Sequence, residues 1–121
     1  MDYFVTGATG FIGRHLVGRL LQRGGTVYVL LRPGSRAKLE ALRRGWGEAA
    51  DRVIAVEGDL GSPGLGLATA QLDGLRGRIA HLFHLAAVYD LAASSADLEA
   101  ANVEGTRQML RFRSEEHTSE L

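Results

Sequence analysis

Apolar positions along the 121-residue chain fall into short runs separated by longer stretches of helical spacing. Tyr3 to Thr6 is an apolar run that ends at a glycine, which predicts a first strand. Ile12, Leu16, Val17, Leu20 and Leu21 then recur at helical spacing, with Arg14, His15, Arg19 and Gln22 on the opposite face. Gly24-Gly25 stops that helix. Thr26 to Leu31 is β-branched and apolar throughout, as a strand buried on both faces requires. Pro33-Gly34 breaks it, and Ser35 is placed to cap a second helix running through Leu39 and Leu42 to about Arg44. A third strand is expected from Arg52 to Glu57, a loop from Gly61 to Gly66, and a short helix from Ala68 to Leu75. A fourth strand is expected from Ile79 to Ala87. A last amphipathic helix should run from Asp97 to Phe112, with Leu98, Ala101, Asn102, Gly105 and Met109 on one side.

Strands alternating with helices imply βαβ units and a parallel sheet covered on both faces. The expected fold class is α/β, a Rossmann-type doubly wound parallel sheet truncated after about four strands in the order 3-2-1-4. The fourth strand then lies on the far side of the first, at the switch point where such sheets bind ligands.

Composition narrows the class. The length suits one small domain. Cysteine is absent, which removes disulfides and thiolate metal sites, and no metal site is expected. No apolar run approaches the roughly 18 residues of a membrane span, and Met1-Asp2-Tyr3-Phe4-Val5 lacks the basic start of a signal peptide. A cytoplasmic location fits these features. Net charge is zero, yet Tyr3 to Leu39 contains no Asp or Glu while holding Arg14, Arg19, Arg23, Arg32, Arg36 and Lys38. That half suits an anionic partner, although a solvated basic helix face explains Arg14, Arg19 and Arg23 equally well. The basic residues track a small-ligand site rather than a stripe, which argues against nucleic acid.

The chemistry concentrates in Thr6-Gly7-Ala8-Thr9-Gly10-Phe11-Ile12-Gly13, between the first strand and the first helix. Gly7 permits the tight turn, Gly10 lets backbone approach a pyrophosphate, and Gly13 lets the helix pack close to the sheet. The helix N-terminus then offers unpaired N–H groups and a partial positive charge to phosphates.

The spacing Thr-Gly-x-x-Gly-x-x-Gly resembles the short-chain dehydrogenase/reductase superfamily. The form Thr-Gly-Ala-Thr-Gly-Phe-Ile-Gly resembles its extended branch of nucleotide-sugar epimerases, dihydroflavonol-reductase-like enzymes and fatty-acyl or thioester reductases. The resemblance covers Tyr3 to about Phe112 and implies a dinucleotide held by Gly7, Ala8, Thr9, Gly10, Phe11, Ile12 and Gly13. NAD-preferring sites usually end the second strand in an acidic residue, whereas here it ends Leu30-Leu31-Arg32. A guanidinium there suits a 2′-phosphate, with Ser35, Arg36 and Lys38 just beyond, so NADP is expected, with NAD as the alternative. By the same resemblance Asp59 would accept from the adenine amino group and Leu60 would cover the ring; the plainer reading has Asp59 capping a turn. His84-Leu85-Ala86-Ala87 resembles the His-x-Ala-Ala segment that passes the cofactor ribose, with His84 a structural group and Leu85, Ala86 and Ala87 beside the cofactor. Tyr89 and Asp90 follow in the loop over it, where Tyr89 is a cofactor-contact candidate. Asn102-Val103-Glu104-Gly105-Thr106 resembles the family's Asn-Val-x-Gly-Thr, with Asn102 as structural support and Gly105 allowing close helix packing.

The superfamily's proton transfer uses a Tyr-x-x-x-Lys pair and an upstream Ser or Thr. Four residues after Tyr3, Tyr28 and Tyr89 stand Gly7, Arg32 and Ala93, and Lys38 is the only lysine. No catalytic residue is therefore assigned. The resemblance implies the NADP(H)-binding part of a reductase of a carbonyl or acyl thioester, with no hydride transfer by this piece alone. The alternatives are an NAD-dependent nucleotide-sugar epimerase or dehydratase and a non-catalytic NADP-binding sensor. The partner of a longer parent would be a small-molecule substrate; homo-oligomer formation stays open. Arg113 to Leu121 resembles a translated sequencing-adapter oligonucleotide, so the expected division is a partial NAD(P)-binding domain, 1–112, and a non-native tail, 113–121.

Overall fold

In the computed structural model the described residues are 2–75, 77–85 and 103–112. They form a four-stranded, fully parallel sheet in the order β3-β2-β1-β4, from β1 (Asp2–Thr6), β2 (Val27–Leu31), β3 (Val53–Glu57) and β4 (Ile79–His84). Helices α1 (Phe11–Gln22), α2 (Arg36–Trp46) and α3 (Thr69–Leu75) connect them, and residues 103–112 form a further helix, α4. This is the Rossmann arrangement expected from the alternation of elements.

Side chains alternate across each strand, and the two faces fill two separate cores. Tyr3, Val5, Val27, Val29, Leu31 and Val53 pack with Val17, Leu20 and Leu21 of α1 and Leu39 of α2. Phe4, Leu30 and Val56 pack on the other face with Leu65, Leu75, Met109 and Phe112. β1 sits between β2 and β4 and is buried from Tyr3 to Thr6, whereas β3, at the sheet edge, buries only Val53 and Val56, one in each core, and leaves Ile54 and Glu57 exposed.

Several boundaries differ from the sequence reading, each for a local reason. β2 starts at Val27, because the Thr26 N–H donates to the Asp2 carboxylate at 3.1 Å instead. Ser35 makes no side-chain cap. It lies in the helical region inside a 3-10 turn, Pro33–Ser35, that runs straight into α2. α2 continues to Trp46, whose indole packs toward the first core, and Gly47 ends it with φ +64°. β3 starts at Val53 because Arg52 closes a 3-10 segment, Gly47–Arg52. The Arg52 guanidinium donates to the carbonyls of Leu21 (2.6 Å) and Gly25 (2.7 Å), satisfying the C-terminal end of α1. The expected loop from Gly61 to Gly66 contains a 3-10 stretch, Pro63–Gly66, in which Leu65 has φ +59° and is fully buried. Burial of that leucine in the second core holds a backbone conformation that L-residues ordinarily avoid. β4 ends at His84, so Leu85 follows the strand rather than belonging to it. The expected positions Ala86, Ala87, Tyr89, Asp90, Leu98, Ala101, Asn102 and the tail 113–121 lie outside the described residues.

Candidate functional site

At the C-terminal end of β1 the chain reverses on Gly7, whose φ of +76° is accessible at little cost only to glycine. The Gly10 N–H closes the turn onto the Gly7 carbonyl at 3.1 Å, and the Arg14 N–H starts α1 on the Gly10 carbonyl at 3.0 Å. Gly13 is buried beneath this turn. A Cβ there would stand 2.7 Å from the Gly7 carbonyl carbon and 2.8 Å from the Ala8 Cα, and closer still to the Gly7 oxygen. Gly10 is different: it is exposed, its φ of −74° is ordinary, and a Cβ would come no nearer than 3.4 Å to the Gly7 oxygen. Gly13 therefore serves the packing of helix on strand, and Gly10 keeps the outer surface of the turn clear.

α1 begins without a side-chain cap and without an acidic residue in its first turn. Its first N–H groups and the positive end of its dipole thus face outward from the sheet's C-terminal edge. Phe11 and Ile12 flank them, 72% and 69% exposed. Helical spacing placed Ile12 on the core face, but Gly13 takes the position against the sheet and turns Ile12 outward. The Phe11 ring meets His15 edge-on at 5.0 Å, and the Arg14 guanidinium lies 5.7 Å from its centroid.

His84 closes the neighbouring end of β4. Thr6 Oγ1 accepts the Leu85 N–H at 3.1 Å and lies 2.7 Å from His84 Nδ1; His84 Nε2 faces Thr106 Oγ1 on α4 at 3.4 Å. These bonds are met together when the Thr6 hydroxyl donates to Nδ1 and Nε2 carries the ring proton. Partial burial pushes the His84 pKa below its usual value, which agrees with a neutral ring. His84 is thus a structural bridge between β1, β4 and α4. Leu85 is fixed through its N–H to the Thr6 carbonyl and hydroxyl, with its side chain 40% exposed beside the glycine turn.

The ends of β2 and β3 carry the charged groups. Arg32 and Lys38 are exposed and Ser35 is half-buried. Arg36 Nε donates to Glu57 Oε1 at 2.6 Å, across 21 residues of sequence. Asp59 accepts from the Gly61 N–H at 2.9 Å and from the Ser62 hydroxyl at 3.0 Å. These two bonds, with a smaller contribution from the Arg32 charge, hold its carboxyl below the usual value against a weak opposing effect of burial. Asp59 thus caps a turn, as the plainer reading had it, and each carboxylate oxygen retains acceptor capacity for a further donor. Leu60 is half-buried at the edge of the second core, where the buried Gly105 of α4 packs against it; a Cβ on Gly105 would meet Leu60 at 3.6 Å.

Sequence reasoning missed Thr6 as the group that locks β4 beside the turn, and missed the Arg36–Glu57 pair. The parallel register sets Glu57 opposite Leu31, one residue before Arg32, so the strand ends themselves were the available signal.

The family model described as Male sterility protein, an NAD-binding type, matches residues 5–120. The chain belongs to this family. Curated relatives include the large subunit of L-2-aminoadipate reductase of Penicillium chrysogenum, 37% identical over 120 residues, covering 90% of this chain and 8% of that protein. Fatty acyl-CoA reductase 1 of Xenopus laevis is 33% identical over 125 residues, covering 90% of this chain and 24% of that protein. The reductase domain of a nonribosomal peptide synthetase from Mycobacterium tuberculosis superposes with a TM-score of 0.78 at 30% identity, covering 95% of this chain and 30% of that one. Yeast methylglyoxal/isovaleraldehyde reductase, solved with NADPH, superposes with a TM-score of 0.77 at 24% identity, over 96% of this chain and 33% of that one, and shares the fold. The chain therefore spans a third or less of the length of each of these proteins. Among the described residues no helix is long and apolar enough to cross a membrane.

Proposed function

We propose that this chain is the NADP(H)-binding part of a reductase that acts on a carbonyl or acyl thioester. The observation that carries the reading is the uncapped N-terminus of α1, set directly behind the Gly7–Gly10 turn at the switch point between β1 and β4. It is a ready anion site, and the outer face at Gly10 is free of side-chain bulk. The Gly7-to-Gly13 turn would hold the pyrophosphate, with Ala8 and Thr9 in the turn and Phe11 and Ile12 at its rim. Arg32 would receive the 2′-phosphate, supported by Ser35 and Lys38. Asp59 and Leu60 would meet the adenine, and Leu85, Ala86, Ala87 and Tyr89 the ribose side of the nicotinamide. The nicotinamide would supply the hydride. What these residues do is bind and orient; Thr6 and His84 keep the ends of β1 and β4 together beneath the cofactor. Relatives named as a fatty acyl-CoA reductase and as a peptide-synthetase reductase domain favour an acyl thioester.

The remaining parts of this reading concern the whole protein. No Tyr of this sequence has Lys four residues on, so the 121 residues by themselves should transfer no hydride, and a longer parent would have to supply the pair. A cytoplasmic location, a small-molecule substrate, no nucleic-acid partner and an open choice of homo-oligomer complete it. We divide the chain into a partial domain, 1–112, and a non-native tail, 113–121, a division that sequencing the source DNA past the Phe112 codon tests. The functional test is titration of the full-length protein with NADPH and NADH, followed by assay with an acyl-CoA and an aldehyde. NADPH binding with reduction of either substrate is expected. Preference for NADH with conversion of a nucleotide sugar would establish the epimerase alternative, and NADPH binding without turnover the sensor.

A further inference from the structure

The neighbouring ends of β2 and β3 carry two cations, Arg32 and Arg36, and two carboxylates, Glu57 and Asp59. Arg32 lies within electrostatic reach of Asp59, and Arg36 is bonded through Nε to Glu57 at 2.6 Å. Glu57 and Leu31 are register partners, and the Gly58 N–H donates to the Leu31 carbonyl at 2.9 Å, so the two strand ends are tied together. The Arg36 and Glu57 side chains are 50% and 42% exposed. A pair this accessible adds little to stability. Asp59 has two hydrogen bonds of its own that account for its place in the turn. Among the described residues the Glu57 carboxylate pairs with Arg36, and the strand register sets it opposite Leu31, one residue before Arg32.

We infer that Glu57 is a specificity-determining residue that moderates the preference for NADPH over NADH by opposing the charge of a 2′-phosphate. The inference rests on the NADP(H) reading above and adds to it a consequence: cofactor choice in this protein is graded rather than absolute. NADPH and NADH differ here only by the 2′-phosphate, so a charge at Glu57 acts on one cofactor and barely on the other. Replacing Glu57 by Gln keeps the shape and an acceptor for Arg36 Nε while removing the charge. One unit charge acting on a dianion across roughly 8 Å of water is worth about fivefold in affinity at low ionic strength. Counter-ions shrink that effect as salt rises.

The experiment is fluorescence titration of the full-length protein and its Glu57→Gln variant with NADPH and with NADH, at low salt and at high salt. The expected result is about fivefold tighter NADPH binding in the variant at low salt, an unchanged NADH affinity, and loss of the difference at high salt. An unchanged or lower NADPH-to-NADH ratio overturns the role of Glu57 while leaving the cofactor reading intact, provided the wild type binds NADPH. Equal shifts for both cofactors also overturn it, because they report a general loosening of the loop. Should the wild type bind neither dinucleotide, the cofactor reading fails and this inference with it.

Discussion

Two glycines of one turn should respond in opposite ways to the same methyl group. Gly13→Ala places a Cβ 2.7 Å from the Gly7 carbonyl carbon and 2.8 Å from the Ala8 Cα, both backbone atoms that cannot rotate away. Relief requires the turn to lift from α1 by close to an ångström. Overpacking of this kind costs about 3 kcal/mol, and alanine's better helix propensity returns up to ~1 kcal/mol. The net loss is about 2 kcal/mol, or roughly 8 °C in Tm for a chain of this size. Gly10→Ala instead meets only an ordinary 3.4 Å contact at an allowed φ of −74°. Its weaker N-cap and its stiffer unfolded chain nearly cancel, leaving stability within about 1 kcal/mol of wild type. Its Cβ, however, stands where the pyrophosphate would approach, so NADPH affinity should fall about tenfold or more, which is ~1.4 kcal/mol. The assay is a thermal melt and an NADPH fluorescence titration on each variant. A Gly13→Ala protein melting with the wild type would refute the packing argument. A Gly10→Ala protein that melts normally and binds NADPH normally would remove the pyrophosphate from this turn.

Further outcomes follow from other contacts. Arg52→Ala loses charge-assisted bonds to the Leu21 and Gly25 carbonyls and should cost about 2–3 kcal/mol in urea unfolding; Arg52→Lys should recover only part of it, because one ammonium nitrogen must stand in for two guanidinium nitrogens, each placed on its own carbonyl. Leu65→Ala keeps the positive φ and loses a buried side chain, whereas Leu65→Gly loses the side chain but relieves about 1–2 kcal/mol of backbone strain. Glycine should therefore be the more stable of the two, and a melt in which alanine wins would sink that account. His84 has a folded pKa below its ordinary 6.5, so its contribution is complete above pH 6.5 and is lost as the pH falls through the lower folded value. Urea midpoints measured from pH 7 to pH 5 should drop more in the wild type than in His84→Gln.

The strand order and both cores were legible because a parallel sheet buries whole runs such as Thr-Val-Tyr-Val-Leu-Leu, and because glycine and proline mark the turns between them. The glycine turn was legible for the same reason: its residues are contiguous. Contacts between distant segments were not. Arg52 reads as the first residue of a strand until its side chain is seen on the end of α1. Ser35 has the composition of a helix cap, but Pro33 starts a 3-10 turn that carries it into helical geometry before it can cap. Leu65 is an apolar residue among glycines, and nothing in its neighbours announces a positive φ. Glu57 closes a strand, and its relation to Arg36 depends on how two parallel strand ends are levelled.

The division of labour along the strands has a consequence for how such a protein can change. In β2 the last buried residue is Leu31, in β3 it is Val56, and in β1 it is Thr6; the groups that would read the adenine end begin at Arg32 and Glu57, one residue beyond. A mutation at those outer positions disturbs no packed neighbour, so the selectivity of the pocket can drift through many sequences at nearly constant folding free energy. A deletion of one residue inside β1 is the opposite case. It would exchange the side chains of the two cores at once.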